Sequence, residues 1–149
     1  MSDREQERAA IGQLVDSVME SWNCHRMADH NAAFAADADF INVVGMHWRG
    51  REEIAARHVE LHATIFRDSH MRLLELSQRF LAPVVALAHI HWAMTGAQGV
   101  PGWDVTTERR GRLTWVLVKQ QDGWRIAAAH NTDILPVAMP RPADAARAA

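Results

Sequence analysis

The sequence predicts an α+β fold in which N-terminal helices pack on a strongly curved antiparallel sheet and enclose a pocket. Three observations carry this. Apolar residues recur at helical spacing before residue 67, the period changes to that of strands after it, and no helix-strand alternation of the βαβ kind appears.

In chain order, Ile11, Leu14, Val15, Val18, Met19 and Trp22 share one face of a helix over residues 3–24, with Ser2 or Asp3 as N-cap. The segment 25–40, HRMADHNAAFAADADF, predicts a second short helix ending in an acidic turn at Asp37 and Asp39. Phe40 to Val44 then predicts a strand, Gly45-Met46 a turn, and His47-Trp48-Arg49 a return strand. Gly50 opens a third helix in which Ile54, His58, Leu61 and Ile65 share a face, with His62 and Phe66 beside it. Residues 69–81, 83–95, 107–120 and 123–133 are β-rich and joined by Pro83, by the segment 96–102 and by the hairpin signal Gln121-Asp122-Gly123. Strands this long exceed the usual five to six residues or so, and a sheet of them should twist and curl.

The 149 residues suit one domain over 1–135, followed by a proline- and alanine-rich surface tail over 136–149. A single cysteine, Cys24, excludes an internal disulfide and a cysteine-built zinc cage; a small, partly buried residue near a helix end is its expected role. Net charge is -2 with basic residues scattered, so neither nucleic acid nor a membrane is an expected partner. No apolar run approaches the roughly 18 residues of a membrane span, and the charged N-terminus leads into no apolar signal region, so a cytoplasmic location is expected. Nine histidines and six tryptophans stand beside no tyrosine.

Four blocks resemble the SgcJ/EcaC family. They are Asp39 to Gly45, Gly50-Arg51-Glu52-Glu53-Ile54 with His58 downstream, Arg79-Phe80-Leu81 with Val85 to His89, and Asp122 to Thr132. That family lies in the SnoaL-like branch of the nuclear-transport-factor-two-like superfamily. The resemblance spans roughly residues 5–134 and implies a cystatin-like cone with a pocket, and a homodimer packed through the outer sheet face. It implies no metal and no catalytic signature. The superfamily holds isomerases, dehydratases, hydrolases and cyclases together with non-catalytic binding modules.

In such a cone the third helix turns His58 toward the pocket, either as an acid/base group or as a core histidine with one hydrogen bond, while His62 falls at the rim or surface. His89 and His91 share one face of a strand, and Ile90, Trp92 and Met94 the other, so only one set lines the pocket. The pairs His58/His62 and His89/His91 have metal-ligand spacing, but no acidic partner is near them and no metal or other cofactor is expected. Alternation along the last strand groups Trp124, Ile126, Ala128 and His130, which points His130 inward as a general acid/base or a structural histidine. Asp39 is a candidate carboxylate at the pocket or a turn residue. The expected catalytic set is therefore His130, His58 and Asp39, with Asn42, Trp92, Asn131 and Phe40 as ligand contacts. Trp48, Trp103 and Trp115 offer further apolar surface suited to a flat ligand, or to core and interface.

Lack of tyrosine excludes an oxyanion hole of the ketosteroid-isomerase kind built from tyrosine and a protonated acid. No GxSxG, P-loop or GxGxxG segment occurs. Two functions follow as expectations: a cofactor-free acid/base enzyme (isomerase, cyclase, dehydratase or hydrolase) acting on a small apolar metabolite, or a non-catalytic homodimer that binds a small ligand.

Overall fold

The computed structural model describes residues 2–137. Helix α1 (Asp3–Asn23) starts at Ser2, whose hydroxyl accepts from Glu5 N while the Glu5 carboxylate accepts from Ser2 N, a reciprocal capping box. Its apolar stripe buries Ile11, Val15, Val18, Met19 and Trp22. Farther out, Glu7 accepts from Trp124 Nε1 at 2.6 Å and from the Lys119 ammonium, pinning the helix to the sheet. Cys24 caps α1 in an exposed position, not a partly buried one. The chain reverses at His25 (φ 55°) into the one-turn α2 (Met27–Asn31).

The next segment departs from expectation. Strand β1 occupies Phe34–Ile41, so the predicted helix over 25–40 stops at Asn31 and the predicted strand over 40–44 begins six residues early. Alanine has high intrinsic helix propensity, but here pairing on both edges overrides it. β1 lies between β2 (His47–Arg49) and the last strand, and Ala35 and Ala38 are buried beneath α3. Asn42 Oδ1 then accepts from Val44 N (3.1 Å) and Met46 N (2.8 Å), closing the turn before β2. Gly50 (φ 83°) precedes α3 (Arg51–His62) as its N-cap.

Strands β3 (His70–Ala82), β4 (Val85–Thr95), β5 (Arg109–Gln120) and β6 (Gly123–Asp133) form the antiparallel run that the punctuation predicts. The sheet order is β2-β1-β6-β5-β4-β3, and β6 pairs with β1 in parallel, so the sheet is mixed and not wholly antiparallel. α1 packs on β3 and β6, α3 on β1 and β2, and α2 touches both helices. Ala86, Ala88, Ile90, Trp92 and Met94 of β4 face the helices with Leu113, Trp115 and Leu117 of β5. Each large side chain buried there contributes about 1.5–3 kcal/mol.

One bulge decides the site. Val116 pairs with Ala128 but Leu117 with Ile126, leaving Ala127 unmatched. A single extra residue inverts strand parity beyond it. Trp124 and Ile126 are buried before the bulge, and Ala129 is buried after it with Asn131 on the same face. His130 is therefore turned outward and exposed, opposite to its predicted inward orientation. The tail predicted over 136–149 lies outside the described residues from 138 onward.

Candidate functional site

A cavity of about 180 Å³ opens between α1, α3 and the concave sheet face. An apolar cavity of roughly 150 Å³ takes up benzene, whereas pockets for drug-sized molecules begin near 300 Å³. One ring with a few substituents fits; a polycyclic skeleton does not. Trp22, Phe40, Trp48, Met71, Trp92 and Met94 are among the apolar side chains of its wall. Trp48 stacks on Phe40 at 5.4 Å and 17° and meets His58 edge-on at 5.5 Å.

Three polar side chains on that wall have hydrogen-bonding roles fixed by their neighbours. His58, 3% exposed, donates from Nδ1 to the Ile54 carbonyl at 2.9 Å. A carbonyl only accepts, so the proton sits on Nδ1 and Nε2 carries the free lone pair. Burial pushes the His58 pKa down to about 4, partly offset by that carbonyl, so the ring is neutral at neutral pH. Trp92 Nε1 donates to Asn131 Oδ1 at 2.9 Å, which leaves the Asn131 Nδ2 hydrogens for a ligand. Asn42 spends Oδ1 on the turn and likewise keeps Nδ2.

Trp92 reaches Asn131 by crossing an intervening strand. It stands on β4 opposite Gly111 of β5, and a Cβ at Gly111 would come within 2.0 Å of Trp92 Cζ2 and 2.5 Å of the Thr132 carbonyl oxygen. The missing side chain lets the indole lie across β5 to β6. At the mouth, the Arg109 guanidinium sits 3.6 Å from the Trp103 ring centroid and pairs with Asp133. Trp103 itself stacks on Phe66. With that cation paired, the wall has no unbalanced charge and suits a neutral ligand.

Of the predicted residues, the structure brings His58, Asn42, Trp92, Asn131 and Phe40 to this one cavity. It does not bring Asp39 or His130. Asp39 alternates with inward Phe40, is exposed, and accepts from His47 Nε2 at 2.9 Å on the outer face. His130 lies on the same face for the bulge reason already given. His89 is also outside, bonded through Nδ1 to Thr114 Oγ1 at 3.0 Å, and His91 shares its parity. The histidine pairs with metal-ligand spacing thus lie on opposite sides of the sheet. Among the described residues no group of three or more His, Cys, Asp or Glu side chains is placed to hold a metal.

His62 is buried, not at the rim: its ring is edge-on to Trp22 at 4.3 Å, and its Nδ1 lies 2.8 Å from His25 Nδ1. Burial, then the neighbouring His25 and His58, lower its pKa to about 4. His30, at the closed end, was not indicated by the sequence. Its signal was only a histidine in a short helix, and α2 turns it under Trp22 at 5.6 Å. Burial, reinforced by His58, holds its pKa well below the ordinary histidine value, against a hydrogen bond to the Val18 carbonyl.

Residues 3–130 match the family model of the SnoaL-like domain. An uncharacterised protein with a cystatin-like fold from Caulobacter vibrioides is 31% identical at a TM-score of 0.80, over 88% of this chain and 92% of that one. A domain of unknown function with a cystatin-like fold from Nostoc punctiforme is 27% identical at 0.76, over 92% and 82%. A proposed scytalone dehydratase from Novosphingobium aromaticivorans shares the fold at 0.75 with 13% identity, over 93% and 91%. No curated protein matches the chain.

Proposed function

We propose, from the premise that this chain belongs to the SnoaL-like domain family, that it is a cofactor-free acid/base enzyme acting on a neutral, single-ring metabolite with an enolisable carbonyl group. The observation that carries this is the neutral, tautomer-fixed His58, which lines the same apolar cavity as Asn131 and Asn42 and has its Nε2 lone pair free, as they have their Nδ2 hydrogens. His58 Nε2 takes a proton from the carbon next to the carbonyl. Charge then moves to the carbonyl oxygen, where Asn131 Nδ2 and Asn42 Nδ2 are the available donors. The imidazolium returns its proton to another carbon, which is isomerisation, or to a leaving hydroxyl, which is dehydration. A base with a pKa near 4 is competent for such a step: another enzyme's aspartate does so at about 4.6 when donors hold the oxygen. The proposed dehydratase among its structural neighbours is compatible with that chemistry but shares only the fold.

Deuterium uptake next to the carbonyl of cyclohexanone and acetophenone, followed by proton NMR in heavy water, tests this. Wild-type protein should catalyse uptake at a rate flat between pH 6 and pH 8, and His58→Leu should lose it by about a hundredfold or more. Uptake untouched by His58→Leu sinks the assignment.

One observation favours a second reading, a non-catalytic ligand-binding domain: His58 Nδ1 leans on a backbone carbonyl and not on a carboxylate, so no fixed anion stabilises its imidazolium. Ring ketones that bind without exchanging would support it. In either case the half-buried Val85, Leu87, Val116 and Val118 on the outer sheet face support a homodimer through that face, tested by sedimentation equilibrium. The finer resemblance to the SgcJ/EcaC family rests on the sequence blocks alone.

A further inference from the structure

Behind the main cavity lies a small chamber of about 30 Å³ that shares the walls of Trp22, Phe40, His58, Met71 and Asn131 with it and adds His30. That volume accommodates one or two waters, or the terminal group of a ligand, since a single water needs roughly 10–15 Å³ by this measure. Its apolar lining would ordinarily leave such a space dry. The polar groups here argue otherwise.

His30 is 4% exposed, and one ring nitrogen is turned toward the Val18 carbonyl. Its Nδ1 has no hydrogen-bond partner among the described residues. With the ring N–H on the side of that carbonyl, Nδ1 is left as a lone pair, as is Nε2 of His58. The two rings stand 4.9 Å apart between centroids, and Asn131 Nδ2 adds a donor on the same wall. A buried nitrogen left without a partner is costly, and buried polar atoms in proteins generally find one.

We propose that this chamber is a subsite for a neutral O–H group, which donates to His30 Nδ1 and accepts one of the two Asn131 Nδ2 hydrogens. A carbonyl oxygen, a carboxylate or a halogen would present lone pairs to lone pairs and is disfavoured there. The O–H is supplied either by a resident water or by the ligand's own hydroxyl. This rests on the reading of the cavity as a ligand site, and it narrows that ligand to a ring whose inner end is hydroxylated or water-bridged, with His30 as a positioning residue.

Phenol and toluene, equal in shape and differing in O–H against CH₃, are the probes. Their affinities are compared by calorimetry in wild-type protein, His30→Leu and His30→Gln. The phenol-to-toluene affinity ratio should fall about three- to tenfold in His30→Leu, the worth of one neutral hydrogen bond, and recover in His30→Gln, which retains an acceptor. Both probes binding with a ratio that His30→Leu leaves unchanged overturns the subsite while the cavity reading stands. Neither probe binding to wild-type protein overturns both. Crystals of the wild-type protein with and without phenol decide the case without any variant. Phenol oxygen, or a water bridging to it, within hydrogen-bond reach of His30 Nδ1 supports the subsite and identifies the source of the O–H. An empty chamber with the phenol oxygen turned to the mouth overturns it.

Discussion

Taking the protein from pH 7.5 to pH 5 charges histidines that the fold holds neutral, and the cost can be worked from His58. Its pKa is near the ordinary 6.5 in the unfolded chain and about 4 when folded. Between those values the unfolded chain binds more protons, so stability is full above about pH 6.5 and falls as pH drops toward 4. The complete effect is about 3 kcal/mol, of which about 2 kcal/mol is gone by pH 5. His30 and His62 are shifted in the same direction by the same cause, burial, and add to the loss. Urea denaturation at both pH values, for wild-type protein and His58→Leu, measures it. The wild-type protein should lose at least about 2 kcal/mol, and His58→Leu about 2 kcal/mol less than that. Equal losses in the two proteins would refute the claim that His58 is neutral because it is buried.

Three further outcomes follow from the same geometry. Gly111→Ala should destabilise by about 1–3 kcal/mol in denaturation experiments and alter the near-ultraviolet dichroism of the indoles, because its Cβ collides with Trp92. Trp92→Phe removes the donor that fixes Asn131 Oδ1; it should cost about 1 kcal/mol and lower ring-ketone exchange, read as kcat/KM, more than it lowers stability-limited yield. Asp39→Asn and His130→Ala, both on the outer face, should leave kcat/KM for that exchange within about twofold of wild type, as surface changes away from a site usually do.

Much of the fold was legible because its punctuation is chemical. Ser2, Gly50, Pro83 and Asp122-Gly123 mark element ends for local steric and hydrogen-bonding reasons, and the observed boundaries of α1 and β3 to β6 fall within two residues of the predicted ones, whereas α3 starts where expected but ends at His62, short of the predicted Ile65 and Phe66. β1 was not legible, since Ala33-Phe34-Ala35-Ala36 is locally a good helix and becomes a strand only through β6, which arrives some ninety residues later in the chain. The same non-local pairing hid the parallel register. At the site, His58, Phe40 and Asn42 could be placed because their spacing from neighbouring apolar residues is uninterrupted. His130 was misplaced because nothing about Ala127, one of three consecutive alanines, reveals that the strand bulges there, and the bulge exchanges His130 for Asn131 on the cavity wall. His30 escaped notice because a five-residue helix has no periodicity to read.

The central claim is that His58 presents an unprotonated Nε2 to a cavity that accepts one ring. Long-range proton–nitrogen NMR of the histidine-labelled protein, titrated from pH 8 to pH 4.5 with and without acetophenone, tests it in one experiment. His58 should keep the Nδ1–H tautomer and stay mostly neutral down to pH 4.5, with no titration step near 6.5, as its pKa of about 4 requires, and Nε2 should shift when the ketone binds. An imidazole that titrates near 6.5, or an Nε2 signal indifferent to the ketone, would contradict it.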